Sequence, residues 1–149
     1  MSNRILAFKK GMRSTMQFHP MIIHFPIVLL LVGVISLWIS FWGSDFYRRL
    51  ANYSLVGGFV FLIAAVISGF NSVDYAVKTF TNVSETITKH QMFGIFTLII
   101  FALTLLIQYS SIKKKNPSTF IRGILFVLSF TGLVMLIMTG HFGGQLVYP

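Results

Sequence analysis

Four stretches of this sequence are each long and apolar enough to cross a lipid bilayer, and the chain's three carboxylates, Asp45, Asp74 and Glu85, all fall outside them. A crossing needs about 20 predominantly apolar residues. Within hydrocarbon no water can take up a backbone N–H or C=O, so each stretch must satisfy its own peptide groups, as a helix does. The expected fold is therefore all-α, a four-helix transmembrane bundle of up-down topology in one domain. Composition agrees: 55% of residues are hydrophobic and 10% charged, against roughly 25% charged in an average soluble domain.

Residues 1–18 interleave Arg4, Lys9, Lys10 and Arg13 with Ile5, Leu6, Phe8 and Met12. That pattern predicts a short amphipathic segment lying on lipid headgroups, followed by the bundle over 19–149. The run that follows is too long for the apolar part of a signal peptide and lacks a small-residue cleavage site, so the segment is read as part of the mature chain. The first helix is expected from Pro20 to Trp42, kinked or restarted at Pro26 and broken by Gly43-Ser44-Asp45. The second is expected from Asn52 to Phe70, with Gly57, Gly58 and Gly69 as small contact residues. The polar stretch 71–86 reads as a loop holding a short interfacial helix near Val73–Phe80. The third helix is expected from Thr86 to Tyr109. A basic turn, Lys113-Lys114-Lys115-Asn116-Pro117, leads to Ser118 as N-cap and a fourth helix from Thr119 to Gly140, ended by Gly143 and Gly144.

Alternating crossings carry all four histidines to one side: His19 and His24 open the first run, His90 opens the third and His141 closes the fourth. Imidazole at membrane depth is costly and is often functional. His19 and His24 lie five residues apart, about 140° around a helix and about 7.5 Å along it, so they turn toward different neighbours. Lys and Arg divide six to a side, so the positive-inside rule leaves orientation open. The net charge of +9 is carried by bases that flank apolar runs, which indicates lipid headgroups as partners and no nucleic acid.

Imidazoles without thiolates suggest three chemistries. The first is haem b, with axial ligands from His19, His24, His90 and His141. Gly94, Gly140, Gly143 and Gly144 would make room for the macrocycle, and Phe25, Phe70, Phe93 and Phe142 would line it. The second is copper or zinc, for which imidazole is a common donor, held by His24, His90 and His141 with thioethers nearby at Met16, Met21, Met92 and Met138. The third is no metal, with histidines capping carbonyls or sitting in headgroups and methionines packing as ordinary core residues. The absence of cysteine excludes disulfides, thiolate metal sites and covalently attached haem. The lack of intramembrane carboxylates excludes a pump built on buried acids and a di-iron carboxylate centre. Asn71, Gln91 and Gln145 share the histidine layer and are suited to bond imidazole N–H groups, quinone carbonyls or haem propionates, or to sit as ordinary interfacial polar residues.

The stretch His19-Pro20-Met21-Ile22-Ile23-His24-Phe25-Pro26-Ile27 resembles the opening motif of the DUF2231 family of bacterial membrane domains. His90 followed by Gly94 is similar to its middle motif, and Thr139-Gly140-His141-Phe142-Gly143-Gly144-Gln145-Leu146-Val147-Tyr148 to its closing one. The likeness covers about residues 19–148. Similar domains are found fused ahead of Rieske iron–sulfur or c-type cytochrome domains. The resemblance thus implies membrane electron transfer, a bacterial inner membrane, a histidine side that faces outward, and a respiratory or quinone-linked redox complex as partner. Many relatives continue past the Tyr with a further His-Gly segment, where this sequence stops at Pro149. The expectation is a membrane electron-transfer protein of b-type cytochrome character. The alternatives are a histidine/methionine transition-metal binding protein and a non-catalytic structural subunit of a membrane complex. No residue set assigns substrate turnover.

Overall fold

The computed structural model describes residues 22–79, 84–112 and 117–147. They form α1 (Ile22–Ser40), α2 (Asp45–Thr79), α3 (Ser84–Ile112) and α4 (Thr119–Val147). Residues 1–18, His19, Pro20 and the Lys113–Lys115 turn lie outside the described residues. All four helices are long and apolar enough to span a membrane. Their outward faces carry Val28, Val60, Leu106 and Ile137, one on each helix and each more than half exposed. A helix that stays apolar on its unburied face is a membrane span rather than a surface helix.

The turn between α1 and α2 follows from Gly43, whose φ of 94° is a backbone conformation that glycine adopts without steric cost. Ser44 then offers its carbonyl to Arg48 N–H at 3.1 Å, and Asp45 pairs with Arg48 across the first turn of α2. Ser118 caps α4 as its sequence position predicts: its Oγ accepts from Ile121 N–H, and its carbonyl accepts from Arg122 N–H at 3.1 Å.

Two helices are longer than their apolar runs. α2 begins seven residues before Asn52 and continues nine beyond Phe70, so the stretch 71–79 extends that helix instead of forming a loop with a separate short one. Asn, Ser and Asp cost a helix only tenths of a kcal/mol each. A helix of 35 residues is about 52 Å long against a hydrocarbon core of about 30 Å, so its polar end projects beyond the core. α4 likewise passes through Gly143 and Gly144 to Val147. Glycine costs a helix about 1 kcal/mol, but unwinding next to lipid would leave carbonyls with nothing to accept from. α1 also remains helical through Pro26, which is buried.

Contacts fix the helix directions. Gly33 of α1 lies against Leu55 of α2, and Gly58 of α2 lies against Leu30 of α1, so the two run antiparallel. Gly132 of α4 faces Phe101 of α3, while Gly143 faces His90, so these are antiparallel as well. Trp38 of α1 donates its indole N–H to Ser129 Oγ of α4 at 2.8 Å and packs on Phe126. The bundle core is Leu30, Val34, Leu37, Ala51, Leu55, Leu62, Phe101, Leu125 and Leu136. Between helices in lipid there is little hydrophobic drive, and close packing at small residues takes its place.

α3 carries a polar seam along its inner face, with His90, Thr97, Thr104 and Ser111 recurring every seven residues. Each hydroxyl donates to the carbonyl four residues back: Thr97 to Phe93, Thr104 to Ile100 and Ser111 to Ile107. The helix itself thereby satisfies polar atoms that lipid and core could not.

Candidate functional site

The up-down order brings His24 at the start of α1, His90 near the start of α3 and His141 near the end of α4 to the same rim. Within that rim they have different surroundings. His24 and His141 are exposed, and His90 is half-buried in the α3–α4 seam. Among the described residues no three His, Cys, Asp or Glu side chains are grouped so as to hold one metal ion. His19 lies outside the described residues, as do Met16 and Met21. Met138 is half-buried and Met92 exposed.

His90 has the most defined geometry. Its Nδ1 donates to the backbone carbonyl of Thr139 on α4 at 2.9 Å. A carbonyl can only accept, so Nδ1 bears the proton. In the neutral ring, Nε2 is then the atom with a lone pair. The ring lies against Gly143, where an added β-carbon would be 3.1 Å from Cε1 and 3.2 Å from Nδ1. One turn along, Gly94 faces the Thr139 methyl group at contact distance. Thr139 Oγ1 donates to Met135 O at 2.8 Å, holding its residue in the helix. An imidazole fixed through one nitrogen by a backbone carbonyl, with the other nitrogen available, is the usual arrangement of a ligating histidine.

His141 is held differently. Gln145, one turn on, places its amide nitrogen 3.1 Å from His141 Nε2, so an amide N–H donates into that lone pair. The contact is to the ring's lone pair rather than to an imidazole N–H, the partner expected for an amide in this layer. The His141 ring also meets Phe142 edge-on at 5.5 Å. Phe142 stacks on Phe93 of α3 at 5.4 Å, and Lys89, paired with Glu85, lies 5.9 Å from the Phe142 ring centre. Phe25 stacks instead on Phe61 of α2 at 5.0 Å, and Phe70 is half exposed.

The glycines divide into two pairs. Gly94 and Gly143 serve α3–α4 packing, so the seam beside His90 has no room for a flat macrocycle between these two helices. Gly140 and Gly144 are exposed and have nothing within 4 Å of an added β-carbon. They lie one turn apart and, with Ile137 and His141, form a continuous exposed strip on α4. Space for a flat group lies on that outer strip.

Sequence reading missed the acceptor that orients His90, because a backbone carbonyl leaves no mark in side-chain identity. It also missed Gln108, an amide inside the third apolar run, although a polar residue at membrane depth is itself a signal.

No curated protein and no solved structure matches this chain. Residues 15–149 match the family described as predicted membrane protein (DUF2231), and the chain belongs to that family.

Proposed function

We propose that this integral membrane protein carries electrons through a haem b held at the histidine rim. His90, through its Nε2, and either His141 on the outer strip or His24 would hold the haem, which would supply the one-electron chemistry. His19 serves as a further ligand or a polar partner at the edge. The carrying observation is the Nδ1–H bond from His90 to the Thr139 carbonyl, which leaves a donor nitrogen on an already oriented ring. The exposed Gly140–Gly144 strip supports a macrocycle packed on the outside of α4, beside His141.

Haem is favoured over a bare copper or zinc ion by the number of donors required. A zinc or copper site draws three or four ligands from the protein. Haem brings four nitrogens of its own and asks for one or two imidazoles. The described residues offer His90 as an oriented donor but no cluster of three. In this reading the histidine side faces outward from a bacterial inner membrane, and the redox partner is a respiratory or quinone-linked complex.

An absorption spectrum of the full chain, purified after expression with haem supplied, tests the proposal. The expected result is a Soret band that shifts and sharpens on dithionite reduction and is lost in His90→Ala. A folded protein with no Soret band overturns it. Stoichiometric copper without iron in elemental analysis would replace haem with the metal-ion alternative.

A further inference from the structure

At the rim opposite the histidines, the α1–α2 turn and the facing ends of α3 and α4 enclose a cavity of about 230 Å³. Its lining includes Ser40, Asp45, Arg48, Asn52, Gln108 and Arg122. The volume is below the usual range of about 300–1,000 Å³ for drug-sized ligands and suits a smaller polar group. Trp42 and Tyr109, respectively 85% and 72% exposed, stand at this end. Such aromatic side chains gather where hydrocarbon meets headgroups.

Two features define what the cavity would accept. Gln108 is only 6% exposed, and its Nε2 donates to Asn52 Oδ1. Its Oε1 is buried with no hydrogen-bond partner among the described residues. An unsatisfied buried acceptor costs about 1–3 kcal/mol, so it calls for a ligand that brings an O–H or N–H. The second feature is Arg122, whose Nε donates to Pro117 O at 3.1 Å and whose Nη1 donates to Phe41 O at 2.8 Å. Both partners are neutral carbonyls. Asp45, the one carboxylate in the lining, is paired with Arg48 at 2.6 Å. The Arg122 charge therefore has no counter-ion among the described residues, and guanidinium N–H groups remain for an anion.

We infer that this cavity binds a phosphate ester that carries free hydroxyls, with the phosphate at Arg122 and a hydroxyl donating to Gln108 Oε1. An anion alone would leave Gln108 unsatisfied, and a neutral polyol would leave Arg122 unbalanced. One group with both functions answers both. The site is independent of the histidine rim. The headgroup of phosphatidylglycerol has this chemistry within a lipid, and glycerol 3-phosphate has it in solution.

Native mass spectrometry of the full chain in detergent, with lipid added, tests the inference. Three probes separate the parts: phosphatidylglycerol, phosphatidylmethanol (the same charge without hydroxyls) and phosphatidylcholine. The expected order of affinity is phosphatidylglycerol, then phosphatidylmethanol about tenfold weaker, as one hydrogen bond of ordinary strength implies, then phosphatidylcholine. Gln108→Met, similar in shape without the acceptor, brings phosphatidylglycerol down to the phosphatidylmethanol value. Competition by glycerol 3-phosphate identifies a soluble source, and retention of the lipid preference without competition identifies the lipid. Equal binding of all three lipids, with no binding of glycerol 3-phosphate, overturns the inference. The lipid comparison uses the unaltered chain, so a variant that fails to fold does not protect it.

Discussion

His90 on α3 is hydrogen-bonded through Nδ1 to the main-chain carbonyl of Thr139 on α4, 49 residues away in sequence, at 2.9 Å. The bond ties two antiparallel helices together and fixes which ring nitrogen is protonated. Replacing His90 with Leu should remove haem absorption and cost about 0.5–1.5 kcal/mol of stability, the net worth of an ordinary hydrogen bond. Nitrogen-15 chemical shifts of the haem-free protein should show the Nδ1–H tautomer for this ring. An Nε2–H tautomer would contradict the assignment.

Gly143 makes room for that ring. In Gly143→Ala the new methyl group would lie 3.1–3.2 Å from Cε1 and Nδ1 of His90, so the imidazole must give by a few tenths of an ångström, which disturbs its bond to the Thr139 carbonyl. Haem occupancy should fall severalfold with the helical content unchanged. At Gly123, at the opposite end of α4, nothing lies within 4 Å, so Gly123→Ala should leave both His90 and haem binding undisturbed. The change should stabilise α4 by about 1 kcal/mol through helix propensity. Titration of haem into both variants checks the contrast, and equal losses would remove the role given to Gly143.

The α1–α2 contact depends on two glycines. An added β-carbon at Gly33 would lie 2.7 Å from Leu55 Cγ and 3.0 Å from its backbone nitrogen, and one at Gly58 would lie 2.8 Å from Leu30 Cγ and 3.0 Å from its backbone nitrogen. Side chains can move but backbone yields less, so Gly33→Ala and Gly58→Ala should each destabilise by about 1–3 kcal/mol. At Gly57 the nearest atom is 3.6 Å away, and Gly57→Ala should be tolerated. Thermal unfolding in detergent ranks the three, and an equally unstable Gly57→Ala would point to backbone conformation rather than close approach.

Trp38 and Ser129 form the polar link between α1 and α4. Ser129→Ala leaves the indole N–H without its acceptor in a largely apolar setting, at a cost of about 1–3 kcal/mol. Combining it with Trp38→Phe removes both partners, so the double variant should lose less than the sum of the single changes. Strict additivity in the same unfolding assay would show that the hydrogen bond contributes nothing.

The reading from residues and the structure agree where local physics decides. Apolar length against bilayer thickness specifies four helices, Gly43 and Ser44 specify the first turn, and Ser118 specifies the start of α4. Alternation alone places His24, His90 and His141 at one rim. Agreement ends where helices outrun their apolar runs: α2 starts at Asp45 and continues through 71–79, because polar side chains indicate water rather than the end of a helix, and α4 continues through Gly143 and Gly144 to Val147.

What the sequence determined by itself is the class, the number of crossings and the end at which the histidines lie. These follow from hydropathy and from the need of every peptide group in lipid for a partner. Only the tertiary structure decided that His90 is oriented while His24 and His141 lie exposed, that Gly143 faces an imidazole while Gly144 faces open space, and that Gln108 meets Asn52. Those outcomes depend on the rotation of each helix about its own axis. Apolar faces on every side leave that angle undetermined until neighbouring helices pack.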